Sequence, residues 1–303
     1  MRGGQGGFMK GWVISRRVFL KASAGLVASG SLRAASAPMR FGVVTDVHYA
    51  DRTPAGTRFY RLGVSKLQAV VDLMNSQGVD FVIELGDFKD QDAKPSEEST
   101  LGFLRSIEEV FQGFRGARYH VLGNHDMDSI SKEQFQSMVV NTGIARARTW
   151  YSFDRGGYHF AVLDANFKAD MTPYSKGNFD WQDTNISPEQ VDWLAKDLRG
   201  AGRPSVVCVH QRLDENPNEP SIGNRVAVRQ VMEESKKVAL VLQGHVHTGA
   251  YQQAEGIHYY TLVASVERDN PSDNTCAIVQ VSPDGSIEIT GYARAVSRKL
   301  GGR

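Results

Sequence analysis

The chain has 303 residues, of which 41% are hydrophobic, 23% charged and 9% aromatic. This composition is typical of a globular protein that buries a sizeable core. No stretch reaches the run of about 20 apolar residues that a membrane-spanning helix needs, so we expect no membrane span. The 35 basic residues nearly balance the 34 acidic ones, and the whole chain has a net charge of +1.

The first 37 residues differ from the rest because they contain six basic residues and no acidic one. Arg16 and Arg17 lie in the sequence Ser-Arg-Arg-Val-Phe-Leu-Lys, and a mildly apolar run over 22–32 and small residues up to Ala37 follow it. This order resembles a twin-arginine signal peptide over 1–37. The resemblance implies passage through the twin-arginine export machinery and a periplasmic or extracellular location. A basic disordered tail before a short surface helix is the alternative.

Removal of that segment changes the charge balance. The remaining 29 basic residues then face 34 acidic ones, which leaves a net charge of about −5. A chain with this charge does not suggest a nucleic-acid-binding face, so we expect no stable nucleic-acid binding.

Short apolar runs rich in β-branched residues recur after the N-terminal segment and predict strands. They cover 39–45, 80–85, 118–122, 150–153, 159–163, 205–209, 238–242, 258–263, 275–281 and 286–291. Amphipathic patterns and capping residues predict helices. These cover 60–77, 100–113, 131–140, 188–199 and 224–237.

The order of these elements predicts the fold. Strands and helices alternate at the front, which indicates a parallel sheet, whereas turns between strands in the last third favour antiparallel pairing. The predicted fold class is therefore α/β, a four-layer α/β/β/α sandwich of two mixed sheets flanked by helices, over 38–293. The basic, glycine-ended stretch 294–303 is predicted to be a disordered tail. Cys208 and Cys276 lie in separate apolar segments and are predicted to be two buried thiols.

Five polar clusters each begin where an apolar strand-like run stops. They contain Asp46, His48, Asp87, Asn124, His125, Asp126, His210, His245 and His247. In open α/β sheets, ligands bind in the crevice beyond the carboxyl ends of the strands, so these loops are expected to converge. One Asp-x-His or Gly-Asp pair alone carries little information, because aspartates commonly cap turns and histidines commonly lie in cores. Five clusters at five strand ends favour a functional site.

The chemistry of these side chains is consistent with a metal site. Carboxylate, amide and imidazole donors without any thiolate suit manganese, iron or zinc. Seven candidate ligands are too many for one tetrahedral ion and suit two ions that share a carboxylate. Gly86, Gly123 and Gly244 are expected to allow sharp turns and close backbone approach in these loops.

The pattern D-x-H, G-D, G-N-H-D, H, G-H-x-H from Asp46 to His247 resembles that of the calcineurin-like metallophosphoesterases. The resemblance spans about two thirds of the chain. It implies Asp46, His48 and His247 as ligands of one ion, Asn124, His210 and His245 as ligands of the other, and Asp87 as the bridge. It also implies that His125 sits over the phosphate and that Asp126 orients its ring.

The implied activity is hydrolysis of phosphate esters. Two cations about 3.5–4 Å apart clamp the phosphoryl oxygens and lower the pKa of a bridging water, which attacks phosphorus in line. His125 would stabilise the developing charge or protonate the leaving oxygen. One alternative is a phosphomonoesterase of the same fold, similar to alkaline phosphatase in activity. Another is an exported binding module that keeps the fold without turnover.

A second, shorter resemblance concerns the substrate. The segments 41–51 and 58–61 are similar to the opening of manganese-dependent ADP-ribose/CDP-alcohol diphosphatases, although that group usually has Gln at the position of His48. The similarity covers about a tenth of the chain. It favours a phosphodiester or pyrophosphate bond in a small, nucleotide-like substrate over a phosphomonoester.

Several residues near the motifs keep two interpretations. His120, His159 and His258 are predicted to be structural. Four aspartates either support ligand imidazoles or are solvated loop carboxylates, and these are Asp51, Asp90, Asp92 and Asp128. Arg58 either contacts substrate or belongs to a helix start. The long connection 166–186 is predicted to form a lid or pocket wall, with an ordered surface flap as the alternative.

Overall fold

A computed structural model describes residues 1, 3, 37–215 and 221–301. Its strands are β1 Met39–Val44, β2 Phe81–Glu84, β3 Ala117–His120, β4 Tyr151–Arg155, β5 Tyr158–Val162, β6 Ser205–Cys208, β7 Val238–Gln243, β8 Ala250–Ala254, β9 Ile257–Thr261, β10 Cys276–Val281, β11 Ile287–Tyr292 and β12 Arg298–Leu300. The helices are α1 Gly63–Gln77, α2 Glu97–Gln112, α3 Lys132–Met138, α4 Pro188–Gly200 and α5 Arg225–Ser235. Two short 3-10 turns cover Tyr60–Leu62 and Asn124–Met127.

The strands form two mixed sheets of six strands each. The first has the order β12-β11-β10-β1-β2-β3, and the second has the order β4-β5-β6-β7-β9-β8. β1, β2 and β3 are parallel, whereas β10, β11 and β12 pair antiparallel, as the order of elements predicted. In the second sheet, β5, β6, β7 and β9 are parallel between antiparallel edge strands.

The two sheets pack face to face around one apolar core. Alternate residues of β1 point to opposite faces. Phe41 and Val43 therefore lie in the core between the sheets, while Val44 packs among the helices on the outer face. Phe41 stacks on Phe81 of the same sheet at a centroid distance of 4.8 Å and meets Phe160 of the second sheet edge-on at 5.3 Å.

Helices cover the outer face of each sheet. Leu67 of α1, Leu104 of α2 and Phe135 of α3 are fully buried against the first sheet. Leu194 of α4 and Val228 of α5 are buried in the same way against the second sheet. The four-layer α/β/β/α sandwich is confirmed, and it brings the carboxyl ends of β1, β2, β6 and β7 to one side of the molecule.

The predicted disordered tail over 294–303 is wrong for residues 294–301, which are described. Residues 298–300 form β12, which pairs antiparallel with β11 and buries Leu300. The Arg298 guanidinium lies 3.9 Å from the Tyr251 ring centroid, and Arg294 Nε donates to Asp273 Oδ2 at 3.0 Å. Arg294 and Arg298 therefore have partners that the composition of this stretch did not indicate.

Other findings concern single features of the chain. The edge strand β8 was not predicted, because its sequence Ala-Tyr-Gln-Gln-Ala lacks the apolar β-branched pattern of the other strands. Cys208 and Cys276 are both buried and free, as predicted. Apart from residues 1, 3 and 37, the predicted signal peptide lies outside the described residues. Within those residues, no helix has the length and apolar character needed to cross a bilayer.

Candidate metal centre

The predicted ligands lie in loops at the carboxyl ends of strands from both sheets. Asp46 and His48 follow β1, Asp87 follows β2, and His245 follows β7. All four have left-handed backbone, with φ angles of 51°, 45°, 56° and 68° respectively. Such conformations are uncommon for residues with a side chain and cluster at functional sites, where the surrounding structure holds them.

One group of ligand atoms belongs to Asp46, His48 and His247. Asp46 Oδ1 lies 3.7 Å from His48 Nε2 and 3.5 Å from His247 Nε2. The three residues each present one donor atom, and these atoms lie within 4.8 Å of one another. One cation can therefore contact all three.

A second group adjoins the first through Asp87. Its Oδ2 lies 3.1 Å from His210 Nε2, which is 3.3 Å from His245 Nδ1. The same oxygen lies 3.5 Å from His48 Nε2 of the first group. Asn124 is 1% exposed and lines the same cavity as Asp87 and His245. The structure thus brings all seven predicted ligands together, with Asp87 between the two groups.

The second ring nitrogen of three imidazoles has a fixed partner. His48 Nδ1 lies 3.2 Å from Asp90 Oδ2, His247 Nδ1 lies 2.6 Å from Glu267 Oε1, and His210 Nδ1 donates to the Leu85 carbonyl at 2.8 Å. Such partners fix ring orientation and leave the other nitrogen facing the centre.

Sequence reasoning left Asp90 undecided and missed Glu267. Asp90 lies three residues after the predicted ligand Asp87, and this proximity was the one sequence feature that pointed to a supporting role. Glu267 lies 20 residues after His247 and reaches the centre because Val266 N donates to the Asp46 carbonyl at 2.9 Å. No local pattern marks it.

Buried carboxylates and imidazoles at the centre shift each other's pKa values. Burial opposes protonation of His48, but the carboxylates of Asp87, Asp46 and Asp90 raise its pKa to about 10. Asp87 and Asp46 likewise raise the pKa of His210 to about 9 despite its burial. Burial would raise the pKa of Asp46, yet the neighbouring imidazoles hold it below its usual range. The centre therefore attracts positive charge.

Three polar atoms of the predicted ligand residues are buried without a hydrogen-bond partner, namely Asp46 Oδ1, His48 Nε2 and Asn124 Oδ1. An unsatisfied buried polar group costs about 1–3 kcal/mol, so native structures rarely leave one without a reason. Oxygen and imidazole donors of this kind bind first-row divalent cations. The residues therefore fit two cations, one for each group.

Residues 39–249 match the family of calcineurin-like phosphoesterases. The chain belongs to this family. It is 28% identical to a manganese-dependent ADP-ribose/CDP-alcohol diphosphatase of Oryza sativa subsp. japonica, over 85% of this chain and 93% of that protein. It is 23% identical to the protein of the same name in Mus musculus, over 90% of this chain and 96% of that protein. The crystal structure of a dimetal phosphatase from Danio rerio superposes with a TM-score of 0.73 at 18% identity, covering 88% of this chain and 99% of that one.

Membership of the calcineurin-like phosphoesterases decides the class of reaction. The chain is a hydrolase that acts on phosphate esters and uses two divalent metal ions. The donor set described above is what such a pair of ions requires.

Glycines allow the phosphoesterase loops to approach each other closely. Gly86 has a φ of 99°, and a Cβ there would lie 2.6 Å from Gly123 N and 2.7 Å from His210 Nδ1. Gly86 therefore cannot be replaced without displacement of the neighbouring loop or of a ligand imidazole.

His125 lies beside the two groups of ligands. Its backbone N–H donates to Asp87 Oδ1 at 2.8 Å, and its ring centroid lies 4.9 Å from that of His48. Lys89 fixes this loop, because its buried Nζ donates to the His125 carbonyl at 2.5 Å and pairs with Asp128. No local sequence pattern indicated that this lysine is buried.

The prediction that Asp126 orients the ring of His125 is wrong. Its Oδ2 accepts from Gly123 N and Asp87 N at 2.8 and 3.1 Å, and its Oδ1 accepts from Phe88 N at 3.0 Å. Asp126 therefore holds the backbone of two ligand loops together. The carboxylate beside the His125 ring is that of Asp90, whose Oδ2 lies 3.6 Å from His125 Nδ1.

The metal centre opens into a cleft with two lobes. The first, which we name the aromatic lobe, is a cavity of about 410 Å³ whose wall contains His125, Phe179 and Trp181. The second, which we name the arginine lobe, is a cavity of about 870 Å³ whose wall contains Arg58, Arg268 and Arg294. Arg58, His245 and His247 line both lobes. A substrate at the metal centre can therefore extend in two directions.

Proposed function

We propose that the protein hydrolyses the diphosphate bond of small, nucleotide-like substrates and that manganese is its preferred metal. The observation that carries the proposal is the cleft, in which the metal centre adjoins both the aromatic lobe and the arginine lobe. The similar rice and mouse proteins are named for manganese dependence and for ADP-ribose and CDP-alcohols. These names agree with a substrate of this kind.

The arginine lobe supports a diphosphate over a monoester. Arg294 is held by Asp273, whereas Arg58 and Arg268 line the cavity next to the metal ligand His247. A guanidinium binds two phosphate oxygens at once through parallel N–H groups. A diphosphate would place one phosphoryl group at the metals and the other at these arginines, while a monoester has no second group to offer them.

The side chains of the centre divide the work of hydrolysis. We assign one cation to Asp46, His48 and His247, the other to Asn124, His210 and His245, and the bridge to Asp87. Two such cations supply neutralisation of the phosphoryl oxygens and activation of water. His125 is placed to donate a hydrogen bond or a proton to the departing oxygen. As water adds to phosphorus, the bridging P–O bond breaks and the leaving phosphate keeps that oxygen, so two phosphomonoesters form.

Steady-state hydrolysis by the purified full-length protein with Mn²⁺ tests the proposal. The substrates are ADP-ribose, CDP-glycerol, p-nitrophenyl phosphate and bis-p-nitrophenyl phosphate. We expect kcat/KM for the two diphosphates to exceed the others by about tenfold or more, as one additional charged contact provides. Chelation should abolish every activity, and added Mn²⁺ should restore it.

Arg268→Gln provides a matched variant for the same experiment. It should raise KM for ADP-ribose and leave hydrolysis of p-nitrophenyl phosphate unchanged. A higher kcat/KM for p-nitrophenyl phosphate in the unaltered protein would identify a phosphomonoesterase instead. Absence of metal-dependent turnover with all four substrates would favour a binding module.

We also propose that the protein is exported through the twin-arginine machinery. The support is the sequence of 1–37, with six basic residues, no acidic residue and the pair Arg16 and Arg17. Cell fractionation should place the protein outside the cytoplasm, and replacement of both arginines by lysine should retain it inside. An unchanged location of that variant would contradict export by this route.

A further inference from the structure

The segment 166–186, which we name the flap, is anchored at its ends and in its middle. Its two ends are joined, because Asn185 N donates to the Phe167 carbonyl at 2.8 Å. Its middle is tied to the loop that carries His125, since Gly177 N donates to the Met127 carbonyl at 2.9 Å. The flap is therefore a fixed wall of the aromatic lobe, which agrees with the pocket wall that its length predicted.

Aromatic side chains of the flap face the phosphoesterase centre. The Phe179 ring centroid lies 5.2 Å from that of His125 and 6.0 Å from that of Tyr174. Tyr174 is fully buried, and its hydroxyl lies 2.5 Å from the Asp180 carbonyl and 2.6 Å from the Asp183 carbonyl. Because this contact holds the backbone on both sides of Trp181, the flap presents two rings in a fixed arrangement.

Trp181 is exposed at the position where substrate would lie. It is 48% exposed, and it lines the aromatic lobe together with Phe179, Asn124 and His125. Large aromatic side chains usually bury most of their surface, so an exposed indole in a functional cleft marks a contact surface for a ligand. The ligand that matches such a surface is a planar ring, because the π-face of such a ring stacks on an aromatic side chain.

We propose that Phe179 and Trp181 form a stacking subsite for the planar ring system of the substrate. The chemical class of this ring system is a nucleobase. This inference rests on the proposed diphosphate hydrolysis. It adds the site that binds the base of the nucleotide-like substrate. Both side chains offer ring faces, and the indole N–H of Trp181 is their one hydrogen-bonding group, so recognition uses mainly the face of the base. Purines and pyrimidines are therefore both accepted, with purines bound somewhat better because their stacking area is larger.

Kinetics of Trp181→Ala and Trp181→Phe test this subsite. The substrates are ADP-ribose and a dimethyl diphosphate, which has the same bond and no planar group. Trp181→Ala should raise KM for ADP-ribose by about ten- to hundredfold, the range expected for loss of one stacked ring. The same variant should hydrolyse dimethyl diphosphate with a kcat/KM within twofold of the unaltered protein. In Trp181→Phe, KM for ADP-ribose should return most of the way to that of the unaltered protein. An equal loss on both substrates, or no loss on either, would overturn the subsite.

Binding of AMP, measured by tryptophan fluorescence, gives a readout without turnover. AMP should quench emission of the Mn²⁺-loaded protein, whereas ribose 5-phosphate should not. Quenching should vanish in Trp181→Phe and persist in the control Trp193→Phe, which alters a tryptophan outside the aromatic lobe. Undiminished quenching in Trp181→Phe would refute the proposal. Because AMP is a monoester, this result stands even if the protein fails to cleave diphosphates, so failure of the subsite and failure of the proposed function are distinguishable.

Discussion

Two clusters of histidine and carboxylate side chains lie at opposite ends of the strands. The metal centre lies at the carboxyl ends, while a second cluster, which we name the opposite-edge cluster, lies at the amino end of β5 and consists of Asp154, His159 and Asp197. His159 Nδ1 lies 2.8 Å from Asp154 Oδ1, and its Nε2 lies 2.7 Å from Asp197 Oδ2. Both ring nitrogens of His159 therefore have partners.

His48 of the metal centre differs from His159 in this respect. His48 uses Nδ1 to contact Asp90, and its Nε2 is buried without a hydrogen-bond partner. Thus residue types alone do not make a cation site. A cation site is indicated by a buried ring nitrogen without a hydrogen-bond partner that lies close to other buried polar atoms without one.

Backbone conformation separates the two clusters as well. Asp154 and His159 occupy directly paired positions of β4 and β5, so regular structure brings them together. Asp46, His48 and Asp87 have positive φ angles, which cost free energy that the rest of the fold must offset. The opposite-edge cluster stabilises the fold, whereas the backbone of the metal centre lowers the free energy of unfolding in order to place the ligands.

The largest expected effect follows Asp87→Asn, which removes the negative oxygen shared by both ligand groups. Metal content measured on the purified variant should fall from two ions to one or none per chain. Turnover should fall by about 10³-fold, since the metal pair supplies several kcal/mol of charge stabilisation. Asp197→Asn in the opposite-edge cluster is the matched control and should retain both ions. Two tightly bound ions in Asp87→Asn would show that this carboxylate does not bridge the groups.

His125→Ala should separate catalysis from metal binding. His125 contacts the metal centre through its backbone and lies in the cavity wall, but no cation depends on its ring in our assignment. We expect both metals to remain and kcat to fall by about 10²–10⁴-fold, the range for loss of a proton donor. Full activity would exclude the assigned role, and loss of a metal would make His125 a ligand.

Asp90→Asn tests whether the carboxylate that contacts the His48 imidazole is needed for metal affinity. The substitution keeps the size of the side chain but weakens its hold on His48 Nδ1. Metal affinity, measured by titration calorimetry, should fall by about 10- to 100-fold. The equivalent change at the other edge, Asp154→Asn, should leave metal affinity unaltered. Equal affinities for Asp90→Asn and the unaltered protein would contradict the role of this contact.

The sequence was sufficient to predict the sandwich and the seven candidate ligands because both depend on local patterns. An apolar strand followed at once by Asp, Asn or His places that residue at the ligand-binding edge, whatever the order of the strands. His48, His210 and His247 could be found in this way. The left-handed backbone at His48 could not, because it depends on the neighbouring loops that hold it.

Long-range supports were beyond the reach of local patterns. Lys66 appears in the sequence as a charged residue of an ordinary helix, yet it is fully buried. Its Nζ donates to the carbonyls of Ser265, Glu267 and Arg268 at 2.9, 2.7 and 2.8 Å. It thereby holds the loop that supplies Glu267 to the metal centre from about 200 residues away. Only the assembled sheets bring such residues together.

The smallest effect is expected from His159→Gln, which removes a charged partner from each aspartate of the opposite-edge cluster. Burial disfavours the charged imidazole, but Asp197 and Asp154 more than compensate and raise the pKa of His159 above 6.5. Its stabilising contribution is therefore fully present below about pH 6.5 and is lost as pH rises through the raised pKa.

Chemical denaturation of His159→Gln and the unaltered protein at two pH values measures this contribution. The variant should lose about 1–2 kcal/mol of unfolding free energy at pH 5.5, a modest value because Asp154 is half exposed and also pairs with Arg203. At pH 9 the two proteins should differ less, since a larger fraction of His159 is then neutral. A difference that is equal at both pH values would mean that packing, and not the charge of His159, stabilises this edge.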